Sequence, residues 1–365
     1  MVFSCDTVLC THYCEERMLL LTSMLLIGCE EAEKEVSYPD IDFYDFEAAE
    51  PWFGAEGLSY ADGTTVVTAF DQADQFFGSE NLRDITAEVN FPEEGDWAQI
   101  GMYFRLECPE SGLCDHWDRT GSVQLIQNAG TDNAEAIELL RHITPYRLGM
   151  SNYVDVTELA PLLKGTQTIS SFIDTWVGPG HDQGEGWRVT MRFVFYPGPP
   201  AAPDQIINVW GRRSITVGQS GEGETVPDQI EPVSFFVPSD ATRVVAHLTT
   251  TGHSFGNTLN CAEFCEMRHD VIINEDTFST NPWRDDCDVN PVSPQFGTWE
   301  YGRNGWCPGA VSVGDKIDIT NAVTKGSDNV LDFNILLASG AVYENASPVD
   351  LLPTTATSLK LYVYK

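Results

Sequence analysis

After an apolar run near its start, the chain shows no sustained helical periodicity. Its hydrophobic positions recur every second residue instead. Arg188–Tyr196 reads RVTMRFVFY, which puts Val189, Met191, Phe193 and Phe195 on one face of a strand. Leu359–Lys365 alternates in the same way, and Ile100–Leu106, Ser122–Ile126, Arg243–Leu248, Asp270–Ile273 and Val330–Leu337 also read as strands. Clusters of Gly, Pro, Asn and Asp separate them. The pattern predicts an all-β chain built from antiparallel sandwiches.

The clearest break is Tyr196–Pro203, with four prolines in eight residues, a density that no sheet interior accepts. It divides the body into an N-terminal sandwich over 60–197, a linker over 198–204 and a C-terminal sandwich over 205–365. A short repeat crosses this break. Val154–Thr157 precedes a turn at Lys164-Gly165 and then a strand; Ile317–Thr320 precedes Lys325-Gly326 and then a strand. Two copies of one sandwich topology would explain the repeat, with chance similarity between β-type segments as the rival.

Composition narrows the function. The chain has 365 residues, of which 42% are apolar and 11% aromatic, enough for two cores. Asp and Glu outnumber Lys and Arg by 55 to 20, a formal charge of -35. That field repels phosphate backbones and anionic bilayers, which argues against nucleic-acid partners and against direct membrane binding. A solubilising surface is the simplest reading of the acidity.

Of ten cysteines, six lie in the body: Cys108, Cys114, Cys261, Cys265, Cys287 and Cys307. Even numbers in close pairs suit disulfides in an oxidising compartment. We pair them 108–114, 261–265 and 287–307, although the sequence permits other connectivities. A zinc site would ask for paired C-x-x-C or histidine spacing, which is absent. The run Met18–Gly28 is too short to span a bilayer and ends in Leu26-Ile27-Gly28-Cys29, which resembles the lipobox of bacterial lipoproteins. Residues 1–29 therefore read as an export segment, with 1–17 as an upstream extension, Cys29 as the lipidation site and 30–59 as an acidic tether. Membrane contact would come only through that lipid. A secreted protein without the lipid is the alternative.

Two loops concentrate the chemistry. Cys108–Cys114 would close a small ring followed at once by Trp117, Asp118 and Arg119; Cys261–Cys265 would close a tighter one around Glu263 and Phe264. A carboxylate beside an arginine stays ionised and can serve as a general base, although a surface ion pair has the same sequence. The Cys261–Cys265 ring would fix the direction of Glu263, or would simply be a structural turn. Trp117, Trp176 and Trp306 lie in polar, Gly-, Pro- or Asp-rich stretches, where a sugar-stacking role competes with burial.

At these residues the chain resembles the peptide-N-glycosidase F family, bacterial amidases that remove N-linked glycans from asparagine. The matching stretches are ECPESGLCDHWDR (107–119), HITPY (142–146), DTWVGPG (174–180), NCAEFC (260–265) and RNGWCPG (303–309), in an order and spacing that cover roughly 60–365. The resemblance implies two adjacent eight-stranded antiparallel jelly rolls, the three disulfides above and a site at the interface between the lobes. By position it implies Asp118 as principal catalyst and Glu263 as a supporting acid. Asp174 stands where the family has a second supporting glutamate, one methylene shorter. Arg119 and Arg303 fall on arginines that line the cleft, Trp117, Trp176 and Trp306 on exposed tryptophans near the sugar. Phe264 replaces a tryptophan, and Ser214-Ile215 fall on a substrate-contacting pair. His253 matches a family histidine that we read as a loop residue.

The expected reaction is hydrolysis of the glycosyl-asparagine amide in N-linked glycopeptides or glycoproteins, by a monomer, without metal or other cofactor. Asp118 would be the base, Glu263 and Asp174 would orient water and hold the first sugar, and Arg119 and Arg303 would tune the acids and polarise the amide. Two rivals remain at this stage. A glycan-binding surface lipoprotein without catalysis would need the tryptophans but not the acids. A copper monooxygenase would need clustered histidines, whereas His116, His142, His181, His247, His253 and His269 are isolated.

Overall fold

Among the described residues, the period-two pattern becomes four larger antiparallel sheets and one two-stranded sheet. The computed structural model describes residues 63–218, 226–346 and 352–365, all within the compact unit Asp40–Lys365. The export segment, Cys29 and the acidic tether lie outside the described residues.

The first half contributes β1 (Thr65–Gln75), β2 (Asp84–Phe91), β3 (Trp97–Glu107), β4 (Thr120–Gln127), β5 (Glu135–Ile143), β6 (Met150–Asp155), β7 (Gly165–Ile173) and β8 (Trp187–Pro197). The second contributes β9 (Gln205–Thr216), β10 (Val233–Val237), β11 (Arg243–His253), β12 (Met267–Ile273), β13 (Asp276–Thr280), β14 (Trp283–Arg284), β15 (Arg303–Asn304), β16 (Val311–Ser312), β17 (Asp315–Asp318), β18 (Ser327–Leu337) and β19 (Thr354–Tyr364). The sheet orders are β1-β8-β3-β6 and β16-β5-β4-β7-β2, then β17-β11-β19-β9 and β10-β18-β12-β13, with β14-β15 as a separate pair. With β14, β15 and β16 set aside and the other strands renumbered within each half, both halves give the same two orders, 1-8-3-6 and 2-7-4-5.

Alternation builds the cores. Val189, Met191, Phe193 and Phe195 of β8 are all fully buried in the first core, where Phe91 meets Phe193 edge-on at 5.1 Å. Leu359, Leu361 and Val363 of β19 fill the second core. The other face of β19 turns toward the first half, where Tyr362 joins the first core and the Lys360 ammonium donates to the Glu138 carbonyl at 2.9 Å.

The halves share a buried polar seam. Arg141 on β5 grips Glu138 with two N–H bonds at 2.8 and 2.6 Å, and donates across the seam to the Ala356 carbonyl at 2.6 Å and to Thr251 Oγ1 at 3.2 Å. The Ser358 hydroxyl donates to Glu138 from β19. β16 belongs to the second half by sequence but pairs with β5 of the first, Val311 opposite His142 and Ser312 opposite Arg141. Disulfides join Cys108 to Cys114, Cys261 to Cys265 and Cys287 to Cys307.

Candidate active site

The site grows from the two cysteine rings. Between the end of β3 and the start of β4, the Cys108–Cys114 ring delivers the chain to Asp115, whose fully buried carboxylate organises the next turn. It accepts the Trp117 N–H at 3.0 Å, the Thr175 hydroxyl at 2.7 Å and two N–H bonds from Arg119, at 2.7 and 3.3 Å. Thr144 closes the turn from the other side by accepting the Arg119 N–H at 2.8 Å and donating to the Trp117 carbonyl at 3.1 Å. With its neighbours tied down, Asp118 points outward. Tyr146 donates its phenol to Asp118 Oδ2 at 2.7 Å and lies 3.2 Å from the Thr298 hydroxyl.

The second half supplies the opposing wall. The Cys261–Cys265 ring sits beside β15, where Asn304 donates its side-chain amide to the Ala262 and Cys265 carbonyls and its N–H to the Glu263 carbonyl at 3.1 Å. That anchorage directs Glu263 inward, and its neighbour on β15, Arg303, is wholly buried. The Arg303 guanidinium donates to Glu263 Oε1 at 3.3 Å and stands 3.9 Å from Asp118 Oδ2. It also donates to the Tyr301 carbonyl at 2.7 Å and to Thr298 at 2.8 and 3.1 Å, packed between Phe264 (5.0 Å) and Trp306 (4.8 Å). One cation thus ties an acid from each half to a single centre.

Asp118, Tyr146, Glu263 and Thr298 open into a pocket of about 510 Å3. Its walls include Trp117, His253, Phe255, Phe264, Tyr301 and Trp306. Burial pushes the Asp118 carboxyl up, opposed by the Tyr146 hydrogen bond and by Arg303. Burial also pushes Glu263 up to about 7, against the attraction of Arg303 and helped by the charge of Asp118. The Tyr146 phenol is driven up by burial and by Asp118, so it stays protonated and donates. Burial lowers His253 to about 3, so its imidazole is neutral; its Nε2 lies 2.9 Å from the Thr251 hydroxyl.

The family model described as "Peptide-N-glycosidase F, C terminal" matches residues 223–347, the half that carries Glu263 and Arg303. The amidase F of Elizabethkingia miricola, a peptide-N(4)-(N-acetyl-beta-D-glucosaminyl)asparagine amidase, is 28% identical over 282 residues, 73% of this chain and 76% of its own. The chain is thus similar to the peptide-N-glycosidase F family, in its second half by the family model and over most of its length by this relative. The fold agrees: the structure of PNGase F, a glycosylasparaginase from Flavobacterium meningosepticum, superposes with a TM-score of 0.68 at 22% identity, covering 83% of this chain and 96% of that one. PNGF-II matches with a TM-score of 0.64 at 17% identity, covering 83% and 65%.

Within this peptide-N-glycosidase F fold the expected residues separate into groups. Asp118, Glu263, Arg303, Trp117, Phe264 and Trp306 meet at the pocket. Trp306 differs from the expected exposed indole, because it is 2% exposed and its N–H donates to the Gly252 carbonyl at 2.6 Å. Arg119 is not a wall of the pocket, since both of its bonds go to Asp115. Asp174 and Trp176 form a separate cluster, half-buried at Asp174 and exposed at Trp176, with Arg83 at 3.6 Å from Asp174 and its guanidinium 4.3 Å over Trp176. The Asp174 N–H donates to the Thr120 carbonyl at 2.9 Å, which joins this cluster to the strand that follows Asp118. Ser214 is exposed on β9, while Ile215 is buried in the second core and presents nothing to the pocket. Tyr146, Thr298 and Asp115 had no assigned role from sequence. Tyr146 and Asp115 lie inside matched stretches, so local motif identity was a signal for these two; Thr298 had none.

Proposed function

We propose that this chain hydrolyses the amide between asparagine and the first sugar of N-linked glycopeptides and glycoproteins, leaving aspartate and a glycosylamine that breaks down to free glycan and ammonia. The observation that carries this reading is the pairing of Asp118 and Glu263, one from each half, across a single buried arginine. Two carboxyls held in unlike surroundings can divide the work of base and acid.

Asp118, steadied by the Tyr146 phenol, takes a proton from the attacking water. Glu263, near half-protonated at neutral pH, donates a hydrogen bond to the carbonyl oxygen as it becomes anionic. The C–N bond then breaks, and the nitrogen leaves with the proton that Asp118 took from the water, which returns Asp118 to its starting state. Each proton transfer of this kind is worth about 10²–10⁴-fold, so holding the amide in place supplies much of the remainder. Arg303 has its N–H groups committed to Glu263, Thr298 and Tyr301, so its part is to hold the acids rather than the substrate. Asp174, with Arg83 and Trp176, offers charged and aromatic groups suited to a sugar, and Trp117 offers a second aromatic face.

The remaining elements of the reading follow the same family. The two repeated strand orders support a pair of eight-stranded jelly rolls, 60–197 and 205–365, with 198–204 as linker. Disulfides support export from a bacterial cytoplasm, and the sequence at Cys29 supports a lipid anchor. The chain would act as a monomer.

A denatured N-glycoprotein incubated with the wild type and with Asp118→Asn tests the proposal. Glycan release with asparagine converted to aspartate, lost in the variant, is the expected result. Binding of glycan by the wild type without release would refute catalysis.

A further inference from the structure

We propose that the loop between β11 and the Cys261–Cys265 ring, together with Tyr301, is a subsite for the polypeptide that carries the glycan, selective for apolar residues flanking the glycosylated asparagine. This rests on the amidase reading above.

Three large apolar side chains stand out at this edge: Phe255 is 70% exposed, Leu259 66% and Tyr301 60%. Phe255 and Tyr301 line the pocket directly, as does Asn260 beside Leu259. None of the three belongs to either core. The loop that carries the first two is nevertheless well fixed. Tyr343, itself buried, donates its phenol to the Thr258 carbonyl at 2.7 Å, the Asn345 side chain accepts the Thr258 N–H at 3.2 Å, and Asn260 accepts the Gly256 N–H at 2.9 Å. A loop anchored this firmly could hide its apolar groups, yet it presents them.

Leu259 sharpens the point. Its φ of 62° is left-handed, a conformation that suits glycine or asparagine and is unfavourable for leucine. Strain held at the mouth of a pocket, in a side chain that makes no core contact, points to a task outside folding.

The occupant follows from the reaction. The scissile amide sits between sugar and peptide, so the two must leave the acid pair on different sides. Sugar faces pair with flat aromatic rings flanked by hydrogen-bonding groups, which the first half offers in Trp117 and in the Asp174, Arg83 and Trp176 cluster. An aliphatic leucine and an exposed phenyl ring offer no hydrogen bonds and match apolar side chains of an extended peptide. Glu300 precedes Tyr301, and the chain carries a net charge of -35, so acidic flanks are repelled.

The test uses glycopeptides with one glycan and three flanks, Leu/Phe, Ser/Gly and Asp/Glu, against the wild type, Phe255→Ser and Leu259→Gly. The wild type should have its highest kcat/KM on apolar flanks and its lowest on acidic ones. In each variant KM for the apolar-flanked peptide should rise about tenfold, about 1.4 kcal/mol, collapsing its advantage over the Ser-flanked peptide. Inhibition by free glycan should keep its wild-type constant, and Leu259→Gly should melt no lower than the wild type because the left-handed strain is relieved. Equal KM changes for all flanks, weakened inhibition by free glycan, or a lowered Tm for Leu259→Gly would overturn the subsite. Absence of release by the wild type from every glycopeptide would instead refute the amidase reading. The flank preference would then be read as affinity for the same labelled peptides, with equal affinities overturning it.

Discussion

Glu263→Gln separates what the buried acid does for the reaction from what it does to the fold. In the folded chain burial holds the Glu263 carboxyl at about 7, against 4.5 for an ordinary glutamate. The folded state therefore keeps a proton that the unfolded chain releases between these two values. The stability this group contributes is fully present below about pH 4.5 and is lost as pH rises through about 7. At about 1.4 kcal/mol per pH unit of separation, the swing is about 3 kcal/mol. Glutamine keeps an oxygen to accept from Arg303 but has no proton to lose. Urea unfolding of both proteins at about pH 5 and pH 8.5 should show the variant gaining about 3 kcal/mol on the wild type as pH rises. Glycan release by the variant should fall at the same time, because its amide donates a weaker hydrogen bond to the developing oxyanion. A stability difference that stays flat across this range, or that moves toward the wild type with rising pH, would show that Arg303 keeps Glu263 ionised and that the assignment of the donor is wrong.

Tyr146→Phe should lower kcat/KM about 10–100-fold, the worth of a hydrogen bond to a charged group. Because that bond favours the ionised form of Asp118, its loss should also move the acid limb of the pH–rate profile to higher pH; an unmoved limb refutes the contact. Asp174→Asn should raise KM about tenfold with kcat nearly unchanged if the residue holds sugar, whereas a collapse of kcat would make it part of the proton chemistry. Arg141→Met leaves Glu138 buried without its partner and should cost about 3–5 kcal/mol in urea melts, with most of the loss recovered in the double variant Glu138→Gln, Arg141→Met.

The fold was legible where one face of a strand meets a core and the other meets solvent or a thin layer. β8 follows that rule; β19 is buried on both faces, yet its alternation named the right core residues because the side that meets the first half carries Ser358, Lys360 and Tyr362. β5 does not: Ile137 through Ile143 are all buried, because one face lines the first core and the other meets the second half, so periodicity vanishes. At the site, Asp118, Glu263 and Arg303 were legible because short rings and close neighbours direct them. The partners of Arg119 were not. It follows Asp118 in the chain yet bonds Asp115, since the turn decides which of two acids, three residues apart, faces inward. Trp306 shows the same limit, as a polar neighbourhood in sequence became a buried indole with a carbonyl partner. For Ser214 and Ile215 the ladder between β19 and β9 has register shifts, and which side chain faces in depends on them.

The position of β19 also decides when the molecule can become native. It is the last strand of the chain but lies in the middle of its sheet, between β11 and β9, and its reverse face carries Lys360 and Ser358 to Glu138. Until it docks, β9 has no neighbour in that sheet and a charged residue of the first half lacks its cover. Assembly is therefore dominated by contacts far apart in sequence and completes late. Trimming Thr354–Tyr364 would strip an interior strand rather than an edge, and would undo both halves together.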